Sequence, residues 1–280
     1  MNQALRPPPW PEYFMEGALL GMFMVSACGF TALLEHPSSP VRAVLVDGDL
    51  RRALTGIAMG LTAIALIYSP WGKRSGAHMN PAVTLAFLRR GKVRPRDAAG
   101  YITAQFAGGL AGVLLARALL GAALSDPAVN FAVTVPRPGP SGAATAFVAE
   151  LLLAMGMITL VLRASASARW GRRTGLLAGG LVALYITLEA PLSGMSMNPA
   201  RTLASAWPAS TWTGIWIYFT APVLGMLGAE AAHRRLARAT AGGCAKLDHS
   251  PRHRCIFCGY EPPMPKPGAH SASKASMRAA

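Results

Sequence analysis

The chain contains one twelve-residue stretch twice: Ser75-Gly76-Ala77-His78-Met79-Asn80-Pro81-Ala82-Val83-Thr84-Leu85-Ala86 returns as Ser193-Gly194-Met195-Ser196-Met197-Asn198-Pro199-Ala200-Arg201-Thr202-Leu203-Ala204. Nine of the twelve positions are identical although the copies lie more than a hundred residues apart, which indicates an internal duplication. In each copy an Asn stands at a helix N-cap position, and a Pro follows at the first helical position, where its missing N–H costs nothing. Each Asn-Pro-Ala therefore predicts the start of a helix.

Composition predicts that these helix starts lie in a membrane. The chain is 52% hydrophobic and 14% charged, and its mean hydropathy of +0.34 is high for a soluble protein. Six apolar stretches are long enough to span a bilayer: 13–34, 53–70, 98–120, 143–162, 174–191 and 213–232. Residues 83–88 and 202–206 are apolar but too short to cross about 30 Å of hydrocarbon, so they predict half-helices. Non-helical backbone at that depth implies a polar pathway.

Basic residues predict the orientation. Lys and Arg concentrate in 73–96, in 163–173 and in 234–238, which all fall on the same side of the predicted spans. Since cytoplasmic loops collect Lys and Arg, that side and both chain ends are expected to be cytoplasmic. The net charge of +15 is explained by these flanks, so lipid is an expected partner and nucleic acid is not.

Three spans and a half-helix, repeated once, predict an inverted repeat. The expected parts are a lead-in (1–11), a first repeat (12–120), an inter-repeat loop (121–141), a second repeat (142–235) and a disordered cytoplasmic tail (236–280). In inverted repeats the half-helix N-termini converge near the midplane. Asn80 and Asn198 would meet there as amide donors beside loop carbonyl acceptors, so a small neutral molecule could pass by hydrogen bonding.

The paired motifs, the six spans and Arg201 directly after the second motif resemble the major intrinsic protein family, which comprises aquaporins and glycerol facilitators. The resemblance covers about residues 12–235. It implies an all-α, aquaporin-like bundle of six transmembrane helices plus two re-entrant half-helices, a pore in each protomer, a homotetramer in the plasma (inner) membrane, and no cofactor. The pore residues it implies are Asn80, Pro81, Ala82, Asn198, Pro199 and Ala200.

Two carboxylates lie at equivalent places in the repeats, Glu16 in the first span and Glu150 in the fourth. An intramembrane carboxylate suggests a functional site, such as one for protons or cations. The resemblance instead implies that each glutamate accepts hydrogen bonds from the backbone of its re-entrant loop, and we prefer this structural role.

A selectivity filter is implied around Arg201, whose charge would repel cations. The matching positions are Met59 or Gly60 in the second span, with Met59 preferred, then Ile186 and Met195. These residues are neither the aromatic and histidine of typical water channels nor the two aromatics of glycerol facilitators. Other positions, Thr202, Ala206 and the pair Tyr218-Phe219, are typical of water channels.

We therefore predict a passive channel for water and small uncharged solutes that excludes ions and protons. The alternative is a facilitator selective for glycerol, ammonia, urea or metalloid hydroxides. An ion-coupled secondary transporter is a remote alternative, because it needs coupling-ion sites and Glu16 and Glu150 have a structural explanation. An enzyme is not expected, because the spans contain no arrangement of nucleophile, base and oxyanion donors.

His78 matches a family position at the cytoplasmic pore mouth. It could act as a pH gate, because imidazole titrates near neutrality, but a neutral histidine that orders the loop is the preferred interpretation.

The tail contains a cluster of thiols and imidazoles. A zinc site needs four N or S ligands, and the candidates are Cys244, His249, His253, Cys255 and Cys258. A second Cys-x-x-Cys is absent, so we expect reduced, metal-free thiols, with zinc binding as the alternative.

Overall fold

The computed structural model describes residues 7–236, 244–249 and 254–262, and this part of the chain contains ten α-helices and no β-strand. Six helices are long and apolar enough to cross a membrane, which confirms the all-α membrane fold. They are α1 (Trp10–Glu35), α3 (Gly48–Tyr68), α6 (Pro95–Leu120), α7 (Gly142–Ser165), α8 (Thr174–Ser193) and α10 (Ile215–Leu236). The protein is therefore an integral, multi-pass membrane protein.

Four shorter helices complete the described fold: α2 (Pro40–Val44), α4 (Pro70–Ser75), α5 (Pro81–Arg89) and α9 (Pro199–Ala209). The sequence did not predict α2 and α4, and it placed the start of α3 five residues late. Asp47 explains the earlier start, because its carboxylate caps α3 by accepting from Asp49 N at 2.8 Å and Leu50 N at 3.1 Å.

The half-helices α5 and α9 begin at the two motif prolines. Asn80 Oδ1 accepts from Ala82 N at 2.9 Å, and Asn198 Oδ1 accepts from Ala200 N at 3.0 Å. With 9 and 11 residues, these helices are roughly 14 and 16 Å long, about half of the hydrocarbon thickness.

The two repeats interlock. Within each repeat the first span packs along the third, α1 on α6 and α7 on α10, while α3 packs on α8 across the repeats. Each half-helix packs against the third span of the other repeat, α5 on α10 and α9 on α6. Neither half-helix is therefore enclosed by its own repeat alone.

Glycines allow the long helices to approach closely. A Cβ added to Gly108 of α6 would overlap the backbone of Gly17 in α1. At the contact between α3 and α8, a Cβ on Gly60 would lie 2.6 Å from Gly179 O. Small residues at such crossings are typical of helix packing in membranes, where close van der Waals contact drives association.

All six tryptophans are exposed and lie near the two ends of the bundle. Trp10, Trp71 and Trp170 lie at the end that carries the basic loops. Trp207, Trp212 and Trp216 lie at the opposite end. Tryptophan concentrates at both membrane–water interfaces, so these two groups mark the boundaries of the membrane-embedded region.

The tail was expected to be disordered from residue 236 onward. The structure describes two parts of it, 244–249 and 254–262, and several of their residues are buried, including Ala245, Leu247 and Cys255. Their contacts with the basic end of the bundle belong to the site described next. The remainder of the predicted tail lies outside the described residues.

Candidate solute pathway

The two loops that lead into the half-helices have the same unusual backbone. Ala77 and Met79 in the first loop have φ of 54° and 48°, and Met195 and Met197 in the second have 51° and 52°. Residues other than glycine rarely adopt positive φ, so the surroundings must hold these loops in place.

Glu16 holds the first loop. Its Oε1 accepts from Ser75 Oγ at 2.8 Å and His78 N at 3.0 Å, and its Oε2 accepts from Met79 N at 2.8 Å and Gln105 Nε2 at 3.1 Å. The carboxylate is completely buried, and charge-assisted hydrogen bonds of this kind are the strong ones.

Glu150 makes the equivalent contacts in the second repeat. Its Oε1 accepts from Ser193 Oγ and from Ser196 N, both at 2.7 Å, and its Oε2 accepts from Met197 N at 2.6 Å. Glu16 and Glu150 thus both accept hydrogen bonds from the re-entrant loop of their own repeat.

Two tyrosines also hold the loops, and neither was expected to have this role from the sequence. Tyr101 donates to Ser75 O at 2.6 Å, and Tyr218 donates to Ser193 O at 2.5 Å. The sequence indicated Tyr218 only as part of the pair Tyr218-Phe219, which is typical of water channels, and this does not predict the bond to Ser193. Their equivalent positions, in α6 and α10, offered a signal, since both are single tyrosines in the third span of a repeat.

The motif asparagines bind each other's loops. Asn80 Nδ2 donates to Met197 O at 2.7 Å, and Asn198 Nδ2 donates to Met79 O at 2.7 Å. Because an amide nitrogen carries two hydrogens, each asparagine keeps one further donor for a molecule beside it.

A narrow cavity of about 130 Å³ passes along both asparagines. A water molecule needs roughly 10–15 Å³ of such space, so the cavity has room for several. Apolar side chains form most of its wall, and Asn80, Asn198 and Arg201 supply polar groups. The cavity is therefore a mostly apolar passage with a few hydrogen-bonding groups.

The expected filter residues Met59, Ile186 and Met195 line this same cavity together with Arg201. Gly60, the alternative to Met59, faces α8 instead and is not among the lining residues. Arg201 Nη1 is buried and has no hydrogen-bond partner within the described part of the chain.

Glu189 is a further carboxylate within the membrane-spanning helices, and it was not among the residues expected from the sequence. It lies inside the predicted fifth span, is 7% exposed, and neither carboxylate oxygen has a hydrogen-bond partner among the described residues. Glu16 and Glu150 are therefore not the full set of carboxylates within the spans. Glu189 follows Ile186 by one helical turn but is not among the residues that line the cavity.

Tail residues lie against the cavity at the basic end. This cover consists of Ala245, Lys246, Leu247 and Phe257. The His78 ring stacks between Phe87 and Phe257, with centroids 5.1 and 5.6 Å away, and its Nε2 lies 2.6 Å from Ala245 O. A carbonyl oxygen only accepts, so Nε2 carries a hydrogen. Leu247 of the tail lines the cavity directly.

Four of the five candidate metal ligands come together beside this cover. One ligand atom each of Cys244, His249, Cys255 and Cys258 lies within 4.8 Å of all the others. His253, the fifth candidate, lies outside the described residues.

Six spans around a narrow cavity, with two half-helices meeting at paired asparagines in its wall, define a membrane channel for small solutes. A family model for major intrinsic proteins matches residues 13–233. Aquaporin NIP2-3 of Zea mays is 33% identical over 232 residues, covering 82% of this chain and 74% of the relative. Probable aquaporin NIP7-1 of Arabidopsis thaliana is 32% identical over 234 residues, covering 82% and 78%.

Among solved structures, the aquaglyceroporin from Plasmodium falciparum superposes with a TM-score of 0.68 at 22% identity, covering 81% of this chain and 96% of that one. This similarity shows the shared fold. The chain belongs to the major intrinsic protein family, as its paired motifs indicated.

Proposed function

We propose that this protein is a passive channel that conducts water and small uncharged solutes and excludes ions and protons. The observation that carries the proposal is the pair of crossed asparagine bonds in the cavity wall. They fix Asn80 and Asn198 at the N-termini of two half-helices, where the positive helix dipole ends oppose cations. A neutral molecule can replace its water contacts there, whereas a cation cannot.

We propose Arg201 as the charged member of the filter and Met59, Ile186 and Met195 as the others. The shared cavity wall supports this set, and the position of Gly60 against α8 favours Met59. The unpartnered Nη1 of Arg201 supports a donor role toward a passing solute. Pro81, Ala82, Pro199 and Ala200 begin the half-helices that bring both asparagines to the cavity, and Glu16 and Glu150 support the loops.

A second candidate, a solute facilitator, is favoured by the apolar filter. Two methionines and an isoleucine line the cavity together with Arg201, and flexible methionine side chains adapt to differently shaped solutes. Glycerol, ammonia, urea and metalloid hydroxides are the candidate solutes. The aquaglyceroporin fold match is compatible with both candidates.

The basic loops support an orientation in which both termini lie in the cytoplasm. The membrane that we propose for the protein is the plasma membrane. A homotetramer with one pore per protomer is the assembly that we expect from the family. Enzymatic activity and a catalytic cofactor are not part of the proposal.

Stopped-flow light scattering of proteoliposomes tests the function. A sucrose gradient drives water efflux, and glycerol or urea gradients then measure solute uptake as reswelling. Fast shrinkage without reswelling identifies a water channel, and fast reswelling identifies a solute facilitator. Rates equal to those of protein-free vesicles, or flux that requires an ion gradient, contradict the proposal.

A further inference from the structure

The thiol and imidazole cluster in the tail has the dimensions of a tetrahedral metal site. Cys244 Sγ lies 3.2 Å from Cys255 Sγ, and His249 Nε2 lies 3.2 Å from Cys258 Sγ. With zinc–sulfur bonds of about 2.3 Å, the ligand atoms around a tetrahedral zinc are about 3.8 Å apart. All four atoms lie within 4.8 Å of one another, so one ion reaches all of them with little movement.

Backbone hydrogen bonds fix the turn that carries Cys255 and Cys258. The turn closes with hydrogen bonds from Gly259 N to Cys255 O at 3.0 Å and from Cys255 N to Tyr260 O at 2.8 Å. Interactions outside the ligand atoms orient the ligands of a metal site, and this turn does so for Cys255 and Cys258.

The metal ligands bracket the residues that cover the cavity. Cys244 directly precedes Ala245, Lys246 and Leu247, and Phe257 lies between Cys255 and Cys258. An ion bound by these cysteines would therefore fix both parts of the cover at once.

The cover is joined to the first re-entrant loop and to the segment before it. Leu247 N donates to Gly76 O at 3.2 Å, and Lys246 Nζ donates to Lys73 O at 2.9 Å. Lys246 is 2% exposed and Leu247 is 7% exposed. Leu247 lines the cavity together with Asn80 and Asn198, so an apolar side chain of the tail lies in the passage wall at the basic end.

We propose that Cys244, His249, Cys255 and Cys258 bind one zinc ion, and that the zinc-bound tail segment closes the cytoplasmic mouth of the pore. The closure rests on the proposed channel function. Three thiolates and one imidazole are a typical ligand set for structural zinc, and soft thiolates disfavour magnesium and calcium. In a reducing cytoplasm the thiols stay available to the metal.

Zinc makes this closure reversible. The tail segments are too short to bury a core of their own, and metal binding supplies the folding free energy that such small units lack. Without the ion, only the contacts of Leu247, Lys246 and Phe257 oppose the gain in conformational entropy when the tail leaves the bundle. We expect the metal-free tail to leave the pore mouth and flux to rise.

Metal content tests the site without any flux measurement. The full-length protein, purified with thiols kept reduced, should contain about one zinc per chain, and cobalt(II) should give the absorption bands of a tetrahedral thiolate site. Cys255→Ser combined with Cys258→Ser should lose the metal. Cys28→Ala is the matched control, because it removes a thiol in α1, away from the cluster, and this variant should still bind the metal. A metal-free protein with reduced thiols, or a Cys244–Cys255 disulfide in place of metal, overturns the proposal.

Water permeability of proteoliposomes tests the closure. Chelating zinc from the wild type, or replacing Leu247 by Ala with zinc still bound, should raise permeability by about tenfold, because an apolar constriction excludes water. Leu236→Ala, at the exposed end of α10, is the control and should change nothing. Equal permeability with and without zinc overturns the closure. No permeability from any form, Leu247→Ala included, contradicts the channel function itself.

Discussion

Tyr218 donates its hydroxyl hydrogen to Ser193 O at 2.5 Å, and both residues are completely buried. Tyr101 makes the same bond to Ser75 O in the first repeat. Each bond fixes the last residue of the helix that precedes a strained loop. The tyrosines thus act on the pore through the loop backbone and do not line the cavity themselves.

Replacing Tyr218 by Phe should destabilise the protein by about 1–3 kcal/mol, because the buried carbonyl of Ser193 loses its partner. Thermal unfolding of the purified protein in detergent measures this. Tyr185→Phe is the matched control, since the Tyr185 hydroxyl makes no hydrogen bond within the described ranges. Equal unfolding temperatures for both variants would show that the Tyr218 bond contributes nothing.

Replacing Glu150 by Gln should impair folding more than selectivity. A Gln side chain offers one acceptor oxygen and turns an NH₂ group toward a loop donor, so the loss should be at least about 2 kcal/mol. The yield of folded protein and its unfolding temperature measure this. Glu189→Gln, also in a span but without a partner among the described residues, should fold normally. A stable Glu150→Gln protein with altered ion exclusion would point to a transport role.

Replacing Arg201 by Val should weaken the exclusion of cations and protons by about tenfold, because the filter loses its positive charge. Proton leak into vesicles loaded with a pH-sensitive dye measures this. Arg137→Val removes a charge from an exposed residue outside the cavity lining and should leave the leak unchanged. An unchanged leak in the Arg201 variant would mean that the asparagine region alone excludes ions.

Narrowing the filter should separate water from solutes. Met59→Phe with Ile186→His adds two rings to the constriction, so glycerol uptake should fall by about tenfold while water flux falls less. Ile57→Phe is the control, because Ile57 is exposed on the outer face of the same helix. Equal losses for water and glycerol would place the limiting constriction elsewhere.

Replacing Gly108 by Ala should cost about 1–3 kcal/mol, because its Cβ would overlap the backbone of Gly17 and force α1 and α6 apart. Gly29→Ala, whose Cβ would meet nothing within 4 Å, should not destabilise the protein. Unfolding in denaturant compares the two variants. Similar stabilities would show that the helix pair can move apart freely.

Local patterns were sufficient to predict much of this fold. The six spans follow from apolar runs, and the half-helix starts at Pro81 and Pro199 follow from the asparagine cap before each. Both features depend on residues within a few positions of each other, so the sequence carries them directly. The family resemblance added the filter positions, whose roles stay predictions.

Features made by distant residues could not be predicted. The bond from Asn80 to Met197 depends on how the two repeats pack, and the bond from Tyr218 to Ser193 depends on how α10 packs against the end of α8. Leu247 gave no signal either, because an isolated leucine in a polar segment is uninformative until its position in space is known. Glu189, in contrast, could be predicted from the sequence, because it is a carboxylate within the apolar stretch 174–191.

The crossed asparagine bonds have a consequence for synthesis of the chain. The acceptor for Asn80 is 117 residues further along the sequence, so the first asparagine has been made and inserted long before its partner leaves the ribosome. The first three spans are therefore in the membrane before the second half-helix exists to pair with the first. Assembly of the pore is therefore a late event, and a ribosome that stalls before residue 197 leaves a membrane-inserted product without a conducting path.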